Sequence, residues 1–464
     1  MIVPYNITNH PNSYFIKMNK YILLYISFLL FGGIQVNAQQ QEFKFDFGGS
    51  TAASGYLPVS ASTNYTDAIG YGFSNHSEVS EVIRGGKKNS NSDYITSTKP
   101  FYFSVKIPEG NYDVKVILGD IKGISATTVR AECRRLFLQN VITKKGEIAT
   151  VSFTVHVKDS IIRDASGIAI DKVKLKSREI NYLHWDNLLT IEFSDTAAKV
   201  CAVEITPNQH ATTLFLAGNS TVVDQDREPW ASWGQMIPSF FEAGKICIAN
   251  YAESGEALSS FKSAKRLQKL LSLLKQGDYL FIEFGHNDQK QKGQGIGPFT
   301  SYKRDLKYYI NEVKKKGGIP VLVSSMNRRS FDSTGHITNT LGDYPEAVRQ
   351  TAKEEGVTLI DLNAMSKILY ESWGPQKSIK AFVHYPANTF PGQDKKLEDN
   401  THFNTYGAYE IARCIVQSLR DQQLPIAQYL KKGIAVFDPA KPDAVEKWYW
   451  PLSPLTAALK PDGN

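Results

Sequence analysis

Leu214-Phe215-Leu216-Ala217-Gly218-Asn219-Ser220-Thr221 is a short apolar run that stops at a glycine, with a serine just past its end. An apolar run of this length, closed by a turn residue, predicts a buried strand. Residues 245–250, 279–284, 319–324 and 357–362 repeat the pattern. Helical spacing fills the intervals. It places Leu258, Phe261, Leu267, Leu270, Leu271 and Leu274 on one predicted helix over residues 257–274, and it recurs over residues 302–316, 345–355 and 407–419. Strand and helix in alternation predict a mostly parallel sheet covered by helices on both faces. In such sheets chemistry collects at the carboxyl ends of the strands, which is where Ser220 falls.

Upstream of this α/β half the pattern is different. Phe43-Lys44-Phe45-Asp46-Phe47, residues 101–107, 112–116 and 151–157 alternate apolar and polar with period two, and residues 188–193 follow as a further strand. Turn residues such as Pro108-Glu109-Gly110-Asn111 separate them. Short alternating strands with polar turns predict an all-β sandwich over residues 42–208, a candidate carbohydrate-binding domain. Tyr56, Tyr65, Tyr71 and Phe73 in its loops could stack on a sugar face, and packing explains them equally well. The pattern changes near residues 206–212, which sets the catalytic domain at 211–425 and leaves 426–464 as a C-terminal extension.

The ends and the composition narrow the function. Lys17 and Lys20 precede an apolar run over residues 21–33, and Val36-Asn37-Ala38 supplies small residues at a cleavage point. That order predicts a signal peptide over residues 1–38, with Met18 as an alternative start. The run is short for a bilayer span, and no cysteine follows the cleavage point to carry a lipid. The expectation is an exported soluble protein, periplasmic or secreted, with no membrane attachment after cleavage. A formal net charge of +7, spread over 464 residues, gives no reason to invoke nucleic acid. Cys133, Cys201, Cys247 and Cys414 show neither a C-x-x-C pair nor a nearby histidine pair, so no metal site is expected. Cys247 and Cys414 read as packed free thiols, and the pairing of Cys133 with Cys201 stays open.

A serine hydroxyl needs a base to take its proton and a third group to orient that base. Asp399-Asn400-Thr401-His402 lies just before the last predicted helix. Ser220 is then the candidate nucleophile, His402 the base and Asp399 its orienter. An oxyanion hole requires donors aimed at the developing charge. Gly255, after the second strand, offers an unobstructed backbone N–H, and Asn287 in Gly285-His286-Asn287-Asp288, after the third, offers a side-chain amide. Singly, Ser220 reads as a helix cap, Gly255 as a turn glycine and His402 as a core histidine. Together, in order and at strand ends, they form a constellation. Residues 382–393 read as a long loop before Asp399, and His384 and Tyr385 within it are candidate substrate contacts. His286 reads as structural.

These motifs resemble those of the SGNH hydrolases, the GDSL esterase superfamily, over residues 212–423. Within that superfamily the chain is similar to rhamnogalacturonan acetylesterases, on Gly218-Asn219-Ser220-Thr221, Ser232-Trp233-Gly234-Gln235 and Asp399-Asn400-Thr401-His402-Phe403-Asn404. The first half resembles the galactose-binding-like sandwich that precedes this domain in bacterial pectin-degrading esterases. The resemblance implies a cofactor-free serine esterase that removes acetyl groups from a plant cell-wall polysaccharide. It adds the Ser220 N–H to the oxyanion donors. One residue departs from the pattern: Asn219 stands where the family carries aspartate. Acetylated xylan, another acetylated glycan and a lipid ester stay open as substrates, as does a non-catalytic carbohydrate-binding protein. The oligomeric state is open too.

Overall fold

The long strand Leu188–Pro207 organises the first half. In the computed structural model, which describes residues 1, 42–84, 91–457 and 460–461, the sequence expects this strand to stop near Phe193, yet it runs on. Its first part pairs antiparallel with Phe101–Lys106 and Ser125–Ala131. Its second part pairs with Phe43–Phe47, Tyr94–Ser97 and Gly110–Gly119 in the other sheet. A register shift between Ser194 and Ala197, with Asp195 at φ 138°, bends the chain from one sheet into the next. Period-two alternation aims Phe45, Phe47, Phe103 and Phe193 inward, and Phe45 meets Phe103 edge-on at 5.0 Å. Tyr71 and Phe73 join this cluster, and the Tyr56 hydroxyl donates to Glu204, so packing accounts for these aromatics. Apart from Met1, the predicted signal peptide lies outside the described residues.

The second half is a five-stranded parallel array. Thr358–Ile360, Ile319–Val323, Tyr279–Glu283, Thr212–Gly218 and Ile246–Asn250 lie side by side in that order. Successive side chains point to opposite faces, so Leu214 and Leu216 pack on one helical layer and Phe215 and Ala217 on the other. The sheet does not end at Ile246–Asn250. Val155 of the first half pairs with Ile248, so one sheet runs through both halves. Residues 42–464 form one compact unit.

Three elements of the second half also differ from their sequence patterns. The predicted helix over 257–274 is two short ones, Leu258–Ser263 and Arg266–Leu273, broken at Lys265, whose φ is 65°. The break is held from the first half: Lys265 pairs with Asp171 at 2.5 Å, and the Ala264 carbonyl accepts the Lys174 N–H. The helix Leu362–Lys377, capped by Asp361, has no counterpart in the sequence reading. The expected loop over 382–393 contributes the strand Phe382–Tyr385, which pairs antiparallel with Leu397–Phe403. The C-terminal residues wrap back onto the first half. Trp450 lies under the Arg130 guanidinium at 4.4 Å, and the Tyr449 hydroxyl donates to Asp195 at 2.9 Å. All four cysteines are buried free thiols. Among the described residues no helix is long and apolar enough to cross a membrane.

Candidate active site

The strand Thr212–Gly218 delivers Ser220 to the carboxyl edge of the sheet. A Cβ on Gly218 would sit 2.5 Å from Val222 Cγ2, so only glycine lets the chain turn this tightly. His402 arrives at the end of Leu397–Phe403, directly before the helix Thr405–Asp421 that Asn404 caps. Its Nε2 lies 2.8 Å from Ser220 Oγ and its Nδ1 lies 2.8 Å from Asp399 Oδ2. The structure therefore brings Ser220, His402 and Asp399 into one hydrogen-bonded line, although 182 positions separate serine from histidine. Asp399 Oδ1 accepts the N–H groups of Thr401 and His402 at 2.7 and 3.0 Å. Burial alone would raise this carboxyl group. The His402 contact and the two backbone donors outweigh it and hold Asp399 well below the ordinary carboxylate range.

The candidate oxyanion donors lie on the loops that follow the strands Ile246–Asn250 and Tyr279–Glu283. Gly255 adopts φ 81°, a left-handed conformation that a side chain would resist. Asn287 Nδ2 donates to the Glu256 carbonyl at 3.1 Å, which ties the third strand end to the loop of the second. That bond uses one of the two amide hydrogens. Among the described residues, neither the Ser220 nor the Gly255 N–H donates to a protein acceptor. His286 is buried, and burial together with Arg328 holds its imidazole well below the usual range, as a neutral packed ring. His384 and Tyr385 are not brought into the line. They border a different cleft with Lys380, Asn404 and Trp448, where His384 Nε2 meets Asn400 Oδ1 at 3.0 Å and Tyr385 packs edge-on against Phe390.

Several neighbours of the site carried no sequence signal. Trp230 sets its ring edge-on to His402, with 5.7 Å between centroids. Gln225 Nε2 donates to the Ser220 carbonyl at 2.7 Å. Lys460, from the C-terminal extension, places Nζ 3.4 Å from Asp399 Oδ2. Trp230 and Gln225 border a cleft of about 360 Å3 with Ser254, Arg227, Lys460 and, from the first half, Tyr182. Asn219 finds its account in Glu283. Thr221 Oγ lies 2.9 Å from Asn219 Oδ1 and 3.0 Å from Glu283 Oε1. One hydroxyl hydrogen cannot satisfy two carboxylates, and aspartate at 219 would put a second carboxylate beside a fully buried one. Burial pushes Glu283 up to about 7, with the Trp233 and Thr221 donors pulling it back.

Residues 216–408 match the GDSL-like lipase/acylhydrolase family, and residues 43–167 match the galactose-binding domain-like part of β-agarase/YXIM esterase-like proteins. Rhamnogalacturonan acetylesterase RhgT of Bacillus subtilis is 41% identical over 219 residues, which cover 47% of this chain and 93% of that protein. The chain belongs to the GDSL-like lipase/acylhydrolase family. This hydrolase is a carboxylic-ester hydrolase with a galactose-binding-like β-rich first half. An uncharacterized esterase of B. subtilis, YxiM, is similar across both halves, with 28% identity covering 85% of the hydrolase and 95% of that protein. A probable rhamnogalacturonan acetylesterase of the same organism, YesY, is 32% identical over 225 residues, covering 48% and 99%.

Proposed function

We propose that this hydrolase removes O-acetyl groups from rhamnogalacturonan, outside the cell that makes it, through an acyl-enzyme on Ser220. The observation that carries the chemistry is the unbroken line from Ser220 Oγ through His402 to Asp399, at 2.8 Å in each step. His402 Nε2 takes the serine proton as Oγ attacks the acetyl carbonyl. Asp399, held ionised, receives the Nδ1–H, fixes the tautomer and steadies the imidazolium. Negative charge on the carbonyl oxygen is met by the N–H groups of Ser220 and Gly255 and by the remaining Asn287 amide hydrogen. The sugar hydroxyl leaves with the proton from His402, and water repeats the sequence to release acetate.

The choice of substrate is supported by the relatives, two of which carry rhamnogalacturonan acetylesterase in their names. Export is supported by the charged, apolar and small-residue order of residues 17–38. The test is acetate release from acetylated rhamnogalacturonan beside acetylated xylan, with wild type and Ser220→Ala. Release from rhamnogalacturonan by wild type alone is the expected result. Release from xylan instead keeps the mechanism and overturns the substrate. Equal release by the alanine variant removes Ser220 from the mechanism.

A further inference from the structure

The oxyanion loop of the second half is held by two cations of the first. Lys176 precedes, and Arg178 lies within, the short helical turn Ser177–Asn181 of the β-rich half. Lys176 Nζ donates to the Ser254 carbonyl oxygen and pairs with Glu256 at 2.9 Å. Arg178 Nη2 donates to the same carbonyl at 2.9 Å and to Glu253 Oε1 at 2.5 Å. Two cationic donors thus converge on one peptide oxygen. Next to them Glu179 turns inward and pairs with the buried Arg266 at 2.5 Å, which anchors the segment against the second half. The other side of the loop is also fixed: the Glu253 N–H donates to the Gly218 carbonyl, and the Glu256 carbonyl accepts from Asn287.

The Ser254 carbonyl and the Gly255 N–H are the two ends of one planar trans peptide, so they point in opposite directions. A carbonyl pinned toward Lys176 and Arg178 turns the Gly255 N–H away from them. Positive charge at the oxygen also draws electron density through the amide and makes the N–H a stronger donor. A neutral partner would supply the direction without the polarisation. We propose that Lys176 and Arg178 are positioning residues of the oxyanion hole, aiming and polarising the Gly255 N–H through the Ser254 carbonyl. The β-rich half is thereby part of the catalytic unit, whatever sugar it binds.

This inference rests on the serine-esterase reading, and the experiment separates the two. Steady-state kcat and KM are measured on p-nitrophenyl acetate, an ester with no polysaccharide to recognise, for wild type, Ser220→Ala, Lys176→Met, Arg178→Met, Arg178→Lys and the double methionine variant, with Tm for each. Loss of a whole oxyanion donor costs about 10²–10³ in kcat. Loss of its orientation and polarisation is expected to cost about tenfold for Arg178→Met and more for the double variant, with KM within about twofold. Arg178→Lys, which keeps the charge, recovers most of the rate. Lys176→Met leaves the Arg178–Glu253 pair intact, so it reports on the carbonyl even if Arg178→Met fails to fold. A kcat within twofold of wild type in folded Lys176→Met, and in any methionine variant of Arg178 that folds, overturns the inference alone. No turnover by wild type, or turnover that survives Ser220→Ala, overturns it together with the serine-esterase reading.

Discussion

The two halves of this hydrolase use charge in opposite ways. At the strand ends of the second half, a few polar groups face one another in a line open to reaction. On the first half, buried charges face the second and hold the two together: Arg134 pairs with Glu228 at 2.6 Å and Arg135 with Asp224 at 3.2 Å. Lys158 donates to the Asn250 carbonyl, the last residue of the second parallel strand. A buried ion pair is weak evidence for net stability, because desolvation offsets much of the attraction. Its strength is in penalising separation, since each half would be left with unpaired buried charge. The difference teaches that the catalytic half is legible by itself, whereas its support is not.

The sharpest way to test that contrast is to disturb each kind of charge separately. Asp399→Asn keeps the shape of the triad and removes its charge, so kcat is expected to fall by about 10³–10⁴ with the fold intact. Steady-state turnover and Tm on the same preparation check this, and a loss below tenfold would remove Asp399 from the triad. Arg134→Met should do the reverse. It strands Glu228 in the interface, at a cost of about 3–5 kcal/mol in urea unfolding. It also releases the Gln225 and Trp230 carbonyls that Arg134 holds. Pairing it with Glu228→Gln should recover part of the stability, and no recovery would show that the carbonyl bonds matter more than the ion pair.

A third test uses the sign of a proton linkage. Folded Glu283 holds its proton up to about pH 7, whereas a glutamate in the unfolded chain releases it near 4.5. Between those values the native state binds more protons, so this group's contribution to stability falls as pH rises and levels off above 7. Glu283→Gln stays neutral throughout. The stability difference between this variant and wild type should therefore grow with pH across that window, by up to about 1.4 kcal/mol per unit, and then stay flat. A difference independent of pH would mean that Glu283 is ionised throughout. The smallest effect expected is that of Lys460→Ala. Its ammonium is half exposed, and such pairs are worth about 1 kcal/mol or less, so kcat/KM should change by no more than about fivefold.

The parallel array and the candidate site residues are legible because each rests on local pattern: an apolar run, a turn glycine and one residue of reactive type. Ser220, Gly255 and Asn287 each follow a strand that its own residues predict. The sequence predicts only the first part of Leu188–Pro207, because the bulge at Asp195 breaks the alternation that defines a strand. It predicts one helix across Lys265 because the apolar spacing is continuous, while the break is imposed by Asp171 and Lys174 from the other half. The hairpin Phe382–Tyr385 with Leu397–Phe403 was hidden by the prolines and glycine between its strands. His384 and Tyr385 were drawn in by sequence nearness to Asp399, and the fold lines a different cleft with them. Lys176 and Arg178 had no signal, since a lysine and an arginine in a polar turn acquire meaning only from the carbonyl they meet.

In the proposed mechanism Ser220 carries the acyl group. Brief reaction with a fluorophosphonate, which phosphonylates activated serines, followed by peptide mass spectrometry, tests it directly. A single adduct on the peptide containing Ser220, activity lost in proportion to labelling, and no adduct in His402→Ala are expected. Labelling elsewhere, or full labelling of Ser220 with esterase activity intact, would contradict it.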